Sequence, residues 1–182
     1  MRARLASGNP HKLEELRAAL PGWELALLAA SDYPPEDGGT YLENARIKAR
    51  YGAVNAPGEW VIGEDSGIEA AALDGAPGIN SARWADDGVE RLLHELDGVA
   101  DRRARYVCEL VCLTAAEELR GTGILEGEIA TERRGAEGFG YDPIFVPSGE
   151  EQTVAELGDA WKRAHSHRAR AAAELRAKIE AK

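Results

Sequence analysis

Leu13, Leu16 and Leu20 recur at three- and four-residue intervals behind Pro10, which predicts a helix over residues 10–20. Residues 2–6 before it are short and mixed polar–apolar, as a strand would be, and 23–28 form a second such stretch. A second helix is expected over 40–54. Residues 60–62 are apolar enough for a short buried strand, and Ile68, Ala70 and Ala72 alternate as a further one. A short helix is expected over 88–96, and strands over 106–114, 123–131 and 141–146. An Ala-rich helix over 166–182 closes the chain. Helices and strands interleave early and strands cluster later, so the pattern predicts an α/β fold with a mixed sheet. No repeat or Pro/Gly/Ser linker divides the chain, and 1–182 is expected to be a single domain.

Composition narrows the function classes. With 44% hydrophobic and 30% charged residues in 182, the chain is neither disordered nor fibrous. No apolar run approaches the ~20 residues of a spanning helix, and the N-terminus lacks the apolar core of a leader. No membrane partner is expected, and a cytoplasmic location is the default. Cys108 and Cys112 would share one side of an extended strand, too far apart to bridge. A net charge of −10 makes a poor binder of nucleic acid. Against that background, 162–170 holds four Lys or Arg residues, two His and no acid. A solvated helix face and a pocket for a small anion both fit this run.

Five short segments carry potential chemistry. In Ser7-Gly8-Asn9-Pro10-His11-Lys12, Asn9 suits an N-cap and Pro10 the first helical position. His11 and Lys12 then oppose the helix dipole, so removing Lys12 would relieve ~0.3–1 kcal/mol in the empty protein. A bound phosphate would reverse that sign; a capped helix start would explain the same residues. Thr40 and Glu43 form a capping box, and Asn44 and Lys48 share one helix face, from which Lys48 could reach a ligand. Gly63-Glu64-Asp65-Ser66-Gly67 places two carboxylates at an expected strand end, where α/β proteins bind ligands. Such a pair suits Mg²⁺, which takes few protein carboxylates and prefers substrate phosphates; an Asx-type turn closed by Gly67 is the plain alternative. In Gly138-Phe139-Gly140-Tyr141-Asp142, the glycines would let a flat ligand approach Phe139, or mark a bulge beside a core ring. Lys162 and Ser166-His167-Arg168 offer donors for phosphate or carbonyl oxygens at the start of the last helix. Together these describe a nucleoside triphosphate site.

In order, SGNPHK, TYLENARIKA, GEDSGI, GAPGINSARW, GFGYDPIF and SHRARA closely resemble the inosine/xanthosine triphosphate pyrophosphatase family over nearly the whole chain. The resemblance implies an elongated α/β fold with a twisted mixed sheet, two lobes, a central cleft and a homodimer. It implies Mg²⁺-dependent hydrolysis of deaminated purine nucleoside triphosphates (ITP, dITP, XTP) to monophosphate and pyrophosphate, which cleanses the nucleotide pool. It assigns Ser7, Gly8, Asn9, Pro10, His11 and Lys12 to phosphate, Asp65 to catalysis and metal binding, and Ser66 to substrate. Phe139, Gly140, Tyr141 and Asp142 fall in the base loop, and Lys162, His167 and Arg168 contact the nucleotide. Glu36 matches a second metal ligand, with Glu64 as the competing choice. On this reading Asp65 activates water for attack at the α-phosphorus, Lys12 and Lys162 add positive charge near the transition state, and donors facing a 6-oxo group reject adenine.

Glu64 stands where many bacterial members have Asp, and the segments after Trp84 and over 115–123 look shorter than usual. Two alternatives stay open: a pyrophosphatase for pyrimidine or other modified nucleotides, and a non-catalytic nucleotide sensor. The carboxylate pair argues against a sensor, and the acidic balance argues against an RNA-binding module.

Overall fold

The structure is a computed structural model and describes residues 1–114 and 116–181. Its elements in chain order are β1 (Arg2–Ala6), α1 (Pro10–Ala19), β2 (Glu24–Leu27), α2 (Tyr41–Asn55), β3 (Trp60–Ala70), α3 (Gly88–Glu95), β4 (Arg103–Leu113), β5 (Glu118–Ile129), β6 (Phe145–Pro147), α4 (Val154–His165) and α5 (His167–Glu180). The strands form one sheet in the order β2-β1-β3-β4-β5-β6. It is mixed, as expected: β1 runs parallel to β2 and β3, and β6 antiparallel to β5. Among the described residues no helix is long and apolar enough to cross a membrane.

The chain divides into two compact units without a linker. One comprises Met1–Asp65, Cys108–Gly123 and the segment from His167 onward; the other comprises Ser66–Val107 and Ile124–Ser166. The first unit buries Leu13, Leu16 and Leu20 of α1 with Leu5, Ile62, Leu110 and Leu175. The second buries Ile68, Leu92, Leu96, Leu125, Ile144 and Phe145. Cys108 and Cys112 are free and buried in β4.

Several elements differ from the sequence expectation, each for a physical reason. The two short strands expected around 60–62 and 68–72 are one strand, β3, and Gly63–Gly67 lies inside it rather than in a turn at its end. Both faces of β3 are largely buried, so no polar–apolar alternation marks its middle. Ala72 falls beyond it, in a 3₁₀ turn over Ala71–Leu73. β5 starts at Glu118, five residues before the expected 123. Its inward positions are Leu119, Gly121, Gly123, Leu125, Gly127 and Ile129, and the glycines hide the apolar period. The strand expected over 141–146 shrinks to β6, because Asp142–Ile144 form a 3₁₀ turn around Pro143. Helix α4 has no counterpart in the expectation, although Thr153 and Glu156 form its capping box. Lys182, the last residue of the expected closing helix, and Ala115, which opens the shortened 115–123 segment, lie outside the described residues.

Two close approaches in the first unit position side chains. A Cβ on Gly63 would stand 2.0 Å from the Ala45 carbonyl oxygen, so α2 lies directly on β3. A Cβ on Gly123 would stand 1.8 Å from the His167 carbonyl oxygen, so the start of α5 is pressed onto β5.

Candidate active site

The phosphate-loop segment is built as its residue types dictate. Asn9 is the N-cap of α1: its side chain accepts from the His11 N–H at 2.9 Å, and the Asn9 N–H donates to Ser7 Oγ at 3.1 Å. Pro10 follows at the first helical position, and Gly8, Pro10 and His11 are exposed. Lys12 does not point into solvent. Its Nζ lies 2.6 Å from Glu64 Oε2, so the expected gain on removing Lys12 is overturned. The ion pair with a buried carboxylate outweighs the dipole, because an unpaired buried charge costs more than the dipole at a helix start.

Glu64 is fully buried and gathers cations around it. Arg168 donates to its Oε1 from Nη2 at 2.9 Å and from Nε at 3.2 Å, and through Nη1 to Glu15. The Cys108 thiol lies 3.6 Å from the same oxygen. Burial works against the charge of Glu64, but Lys12, Arg168 and Lys48 prevail and hold its carboxyl well below the usual 4.5. Arg168 is 1% exposed; its own burial is likewise overcome by Glu64 and Glu15, which raise its proton affinity.

Asp65, the next residue on β3, belongs to a second group. Lys48 donates from Nζ to Asp65 Oδ1 at 2.9 Å and to Glu36 Oε1 at 2.6 Å. Asn44, one turn before Lys48 on α2, donates to Asp65 Oδ2 at 3.2 Å. Its own Oδ1 accepts from the Gly38 N–H at 2.9 Å, which ties down the loop that carries Glu36. Burial, then the neighbouring Glu64 and Glu36, raise the Asp65 carboxyl above 3.8 against the pull of Lys48. Lys48 is also raised, since Asp65, Glu64 and Glu36 more than offset its burial.

The aromatic loop forms its own cluster in the second unit. Gly138 (φ 77°) and Gly140 (φ 62°) flank Phe139 in the left-handed region that glycine tolerates. Asp142, 2% exposed, accepts from the Phe139 N–H at 2.8 Å and from Lys162 Nζ at 2.5 Å through Oδ2, and from the Tyr106 hydroxyl at 3.2 Å through Oδ1. Lys162 Nζ also sits 3.9 Å from the centre of the Phe139 ring, a cation–π contact. Lys162 therefore makes these contacts in the aromatic-loop cluster. Tyr141 is buried, donates to the Ser81 carbonyl at 2.9 Å, and has its hydroxyl pushed up to about 12 by burial.

The structure thus brings Lys12, Glu64 and Arg168 together, and Glu36, Lys48 and Asp65 together, in one unit. It joins Phe139, Asp142 and Lys162 in the other. Ser66 is partly exposed on β3, and His167 is 4% exposed at the start of α5. Asn44, Glu15 and Tyr106 were not among the expected site residues. The four-residue spacing to Lys48 was a signal for Asn44; nothing local marks the other two.

The model of the Ham1 family matches residues 3–178. This chain belongs to the Ham1 family. Among its curated relatives are two proteins named dITP/XTP pyrophosphatase. One, from Deinococcus deserti, is 42% identical over 95% of this chain and 86% of its own. The other, from Gloeobacter violaceus, is 44% identical over 94% and 90%. The Staphylococcus aureus Ham1 protein superposes with a TM-score of 0.87 at 36% identity, covering 100% of this chain and 99% of its own. A HAM1 protein from Coxiella burnetii gives 0.87 at 35%, covering all of both chains. Membership in the Ham1 family accords with the six ordered motifs of the sequence.

Proposed function

We propose that this protein hydrolyses deaminated purine nucleoside triphosphates, namely dITP, ITP and XTP, to the monophosphate and pyrophosphate. The observation that carries this is its near full-length likeness to proteins named dITP/XTP pyrophosphatase. The residue groups supply a role for each step. Asp65, with its raised proton affinity, takes the proton of the water that attacks the α-phosphorus; its oxygens keep lone pairs beyond those facing Lys48 and Asn44. Lys12 and Lys48 offer positive charge to phosphate oxygens. Phe139 stacks on the base, and Lys162, held beside it by Asp142, donates to a 6-oxo group. Adenine presents a 6-amino donor instead, so donor would meet donor.

The donor set fits a divalent cation. Glu36 and Asp65 converge on one ammonium. The cluster also sets four carboxylates, Glu15, Glu36, Glu64 and Asp65, against three cations, Lys12, Lys48 and Arg168. A triphosphate needs further positive charge there. Glu36 and Asp65 would hold Mg²⁺, which when bound neutralises charge on the phosphate chain. Glu64 is the poorer ligand, being fully buried with its oxygens turned to Lys12 and Arg168. Among the described residues no group of three or more potential ligands forms, as suits a cation that relies on substrate phosphates. A homodimer in the cytoplasm completes the proposal.

A kcat/KM panel over dITP, XTP, ITP, GTP, ATP and UTP, with Mg²⁺ and with chelator, tests it. Preference for the first three with loss in chelator is expected; equal rates for ATP and ITP would sink the substrate class. Light scattering on the purified chain tests the dimer.

A further inference from the structure

Lys48 is a cation shared by Glu36 and Asp65, the two carboxylates proposed above to hold the metal. Its Nζ is 2.6 Å from Glu36 Oε1 and 2.9 Å from Asp65 Oδ1. The other Asp65 oxygen already accepts from Asn44. Glu36 Oε1 and Asp65 Oδ1 meet at the Lys48 ammonium, so a metal shared by the two carboxylates would meet Lys48 there. Helix α2 is packed closely on β3 at Gly63, and the four methylenes of Lys48 let its ammonium swing while the helix stays.

We infer that the Lys48 ammonium is the resident counter-ion of the Glu36–Asp65 pair and competes with the divalent cation for it. The pair cannot hold both cations at one point, because an ammonium and a divalent ion a few ångströms apart repel strongly in a buried site. The metal binds tightly once Lys48 has moved to another anion, and the phosphate chain of the substrate is such an anion. Metal and triphosphate thus assist each other's binding through one side chain, and the coupling is reciprocal. In the absence of nucleotide Lys48 stays on the two carboxylates and opposes their capture of free metal. The inference rests on the metal reading above.

The test is Mn²⁺ binding to the nucleotide-free full-length protein, followed by the electron paramagnetic resonance of free Mn²⁺. Lys48→Met should bind Mn²⁺ about tenfold or more tightly than wild type, since two charge-assisted hydrogen bonds no longer oppose it. The gain should vanish in the Lys48→Met/Glu36→Gln double variant. Should Lys48→Met fail to fold, Lys48→Gln keeps a donor and loses the charge, and the same gain is expected of it. Equal Mn²⁺ affinity in wild type and the Lys48 variants, with binding lost in Glu36→Gln, would overturn the competition and leave the metal site standing. Binding indifferent to both positions would overturn the metal reading as well.

Discussion

The two side-chain clusters use the same pair of ingredients, a lysine and a carboxylate, in opposite ways. Around Glu64 and Asp65 the charges are many, and four carboxylates meet three cations. Around Phe139 a Lys162–Asp142 pair is set against the ring. The first arrangement responds to added charge, because every cation that enters or leaves changes the balance. The second matches a cation with a carboxylate beside a flat face, which suits an uncharged base. The contrast separates the work: the first cluster should govern the chemical step, and the second the grip on the base.

Asp65→Asn should break the first cluster most severely. The side chain keeps its size but cannot take a proton, so kcat with ITP should fall by about 10²-fold or more. Turnover within a few-fold of wild type would remove Asp65 from the chemistry. Phe139→Ala tests the other half. Losing a stacking face should raise KM roughly tenfold or more while kcat changes less, and a variant with kcat alone reduced would contradict the division.

The motif resemblance assigns Arg168 to the nucleotide, while its guanidinium is bonded to Glu64 and Glu15. If it acts through Glu64, Arg168→Ala should lower kcat/KM for ITP and ATP by similar factors. A change of about tenfold or more in the ITP/ATP ratio would instead make Arg168 a reader of the base.

Lys12→Met should destabilise the empty protein by ~1–3 kcal/mol in urea unfolding, because buried Glu64 loses a partner and keeps only part of its compensation. An unchanged or raised midpoint would mean that relief of the helix dipole dominates. Glu64 also fixes a pH dependence. Its folded carboxyl titrates well below 4.5, so its stabilisation is complete above that value and fades as pH falls through the depressed one. Glu64→Gln should therefore flatten the acid limb of the stability profile. The smallest effect concerns the thiols. Burial pushes Cys112 up to about 12 and Cys108 well above 9.0, so neither should alkylate at pH 8 before the protein unfolds. Rapid labelling of the native protein would show that β4 opens.

What the sequence determined by itself is whatever depends on near neighbours. The Asn9 cap with Pro10, the Thr40 cap of α2 and the apolar stripe of α1 were legible because capping and helical period act within one or two turns. The Thr153–Glu156 box of α4 is equally local. The ordered motifs identified the family. Tertiary structure decided the rest. The continuity of β3 through Glu64 and Asp65 depends on burial of both faces, and the inward glycines of β5 show their purpose only where α5 presses on Gly123. Arg168 meets Glu64 across 104 residues, and Lys48 meets Glu36 and Asp65 because Gly63 lets α2 lie on β3. Such ion pairs form where packing sets the distance and removes the water, and neither the distance nor the dryness is encoded in the spacing of residues along the chain.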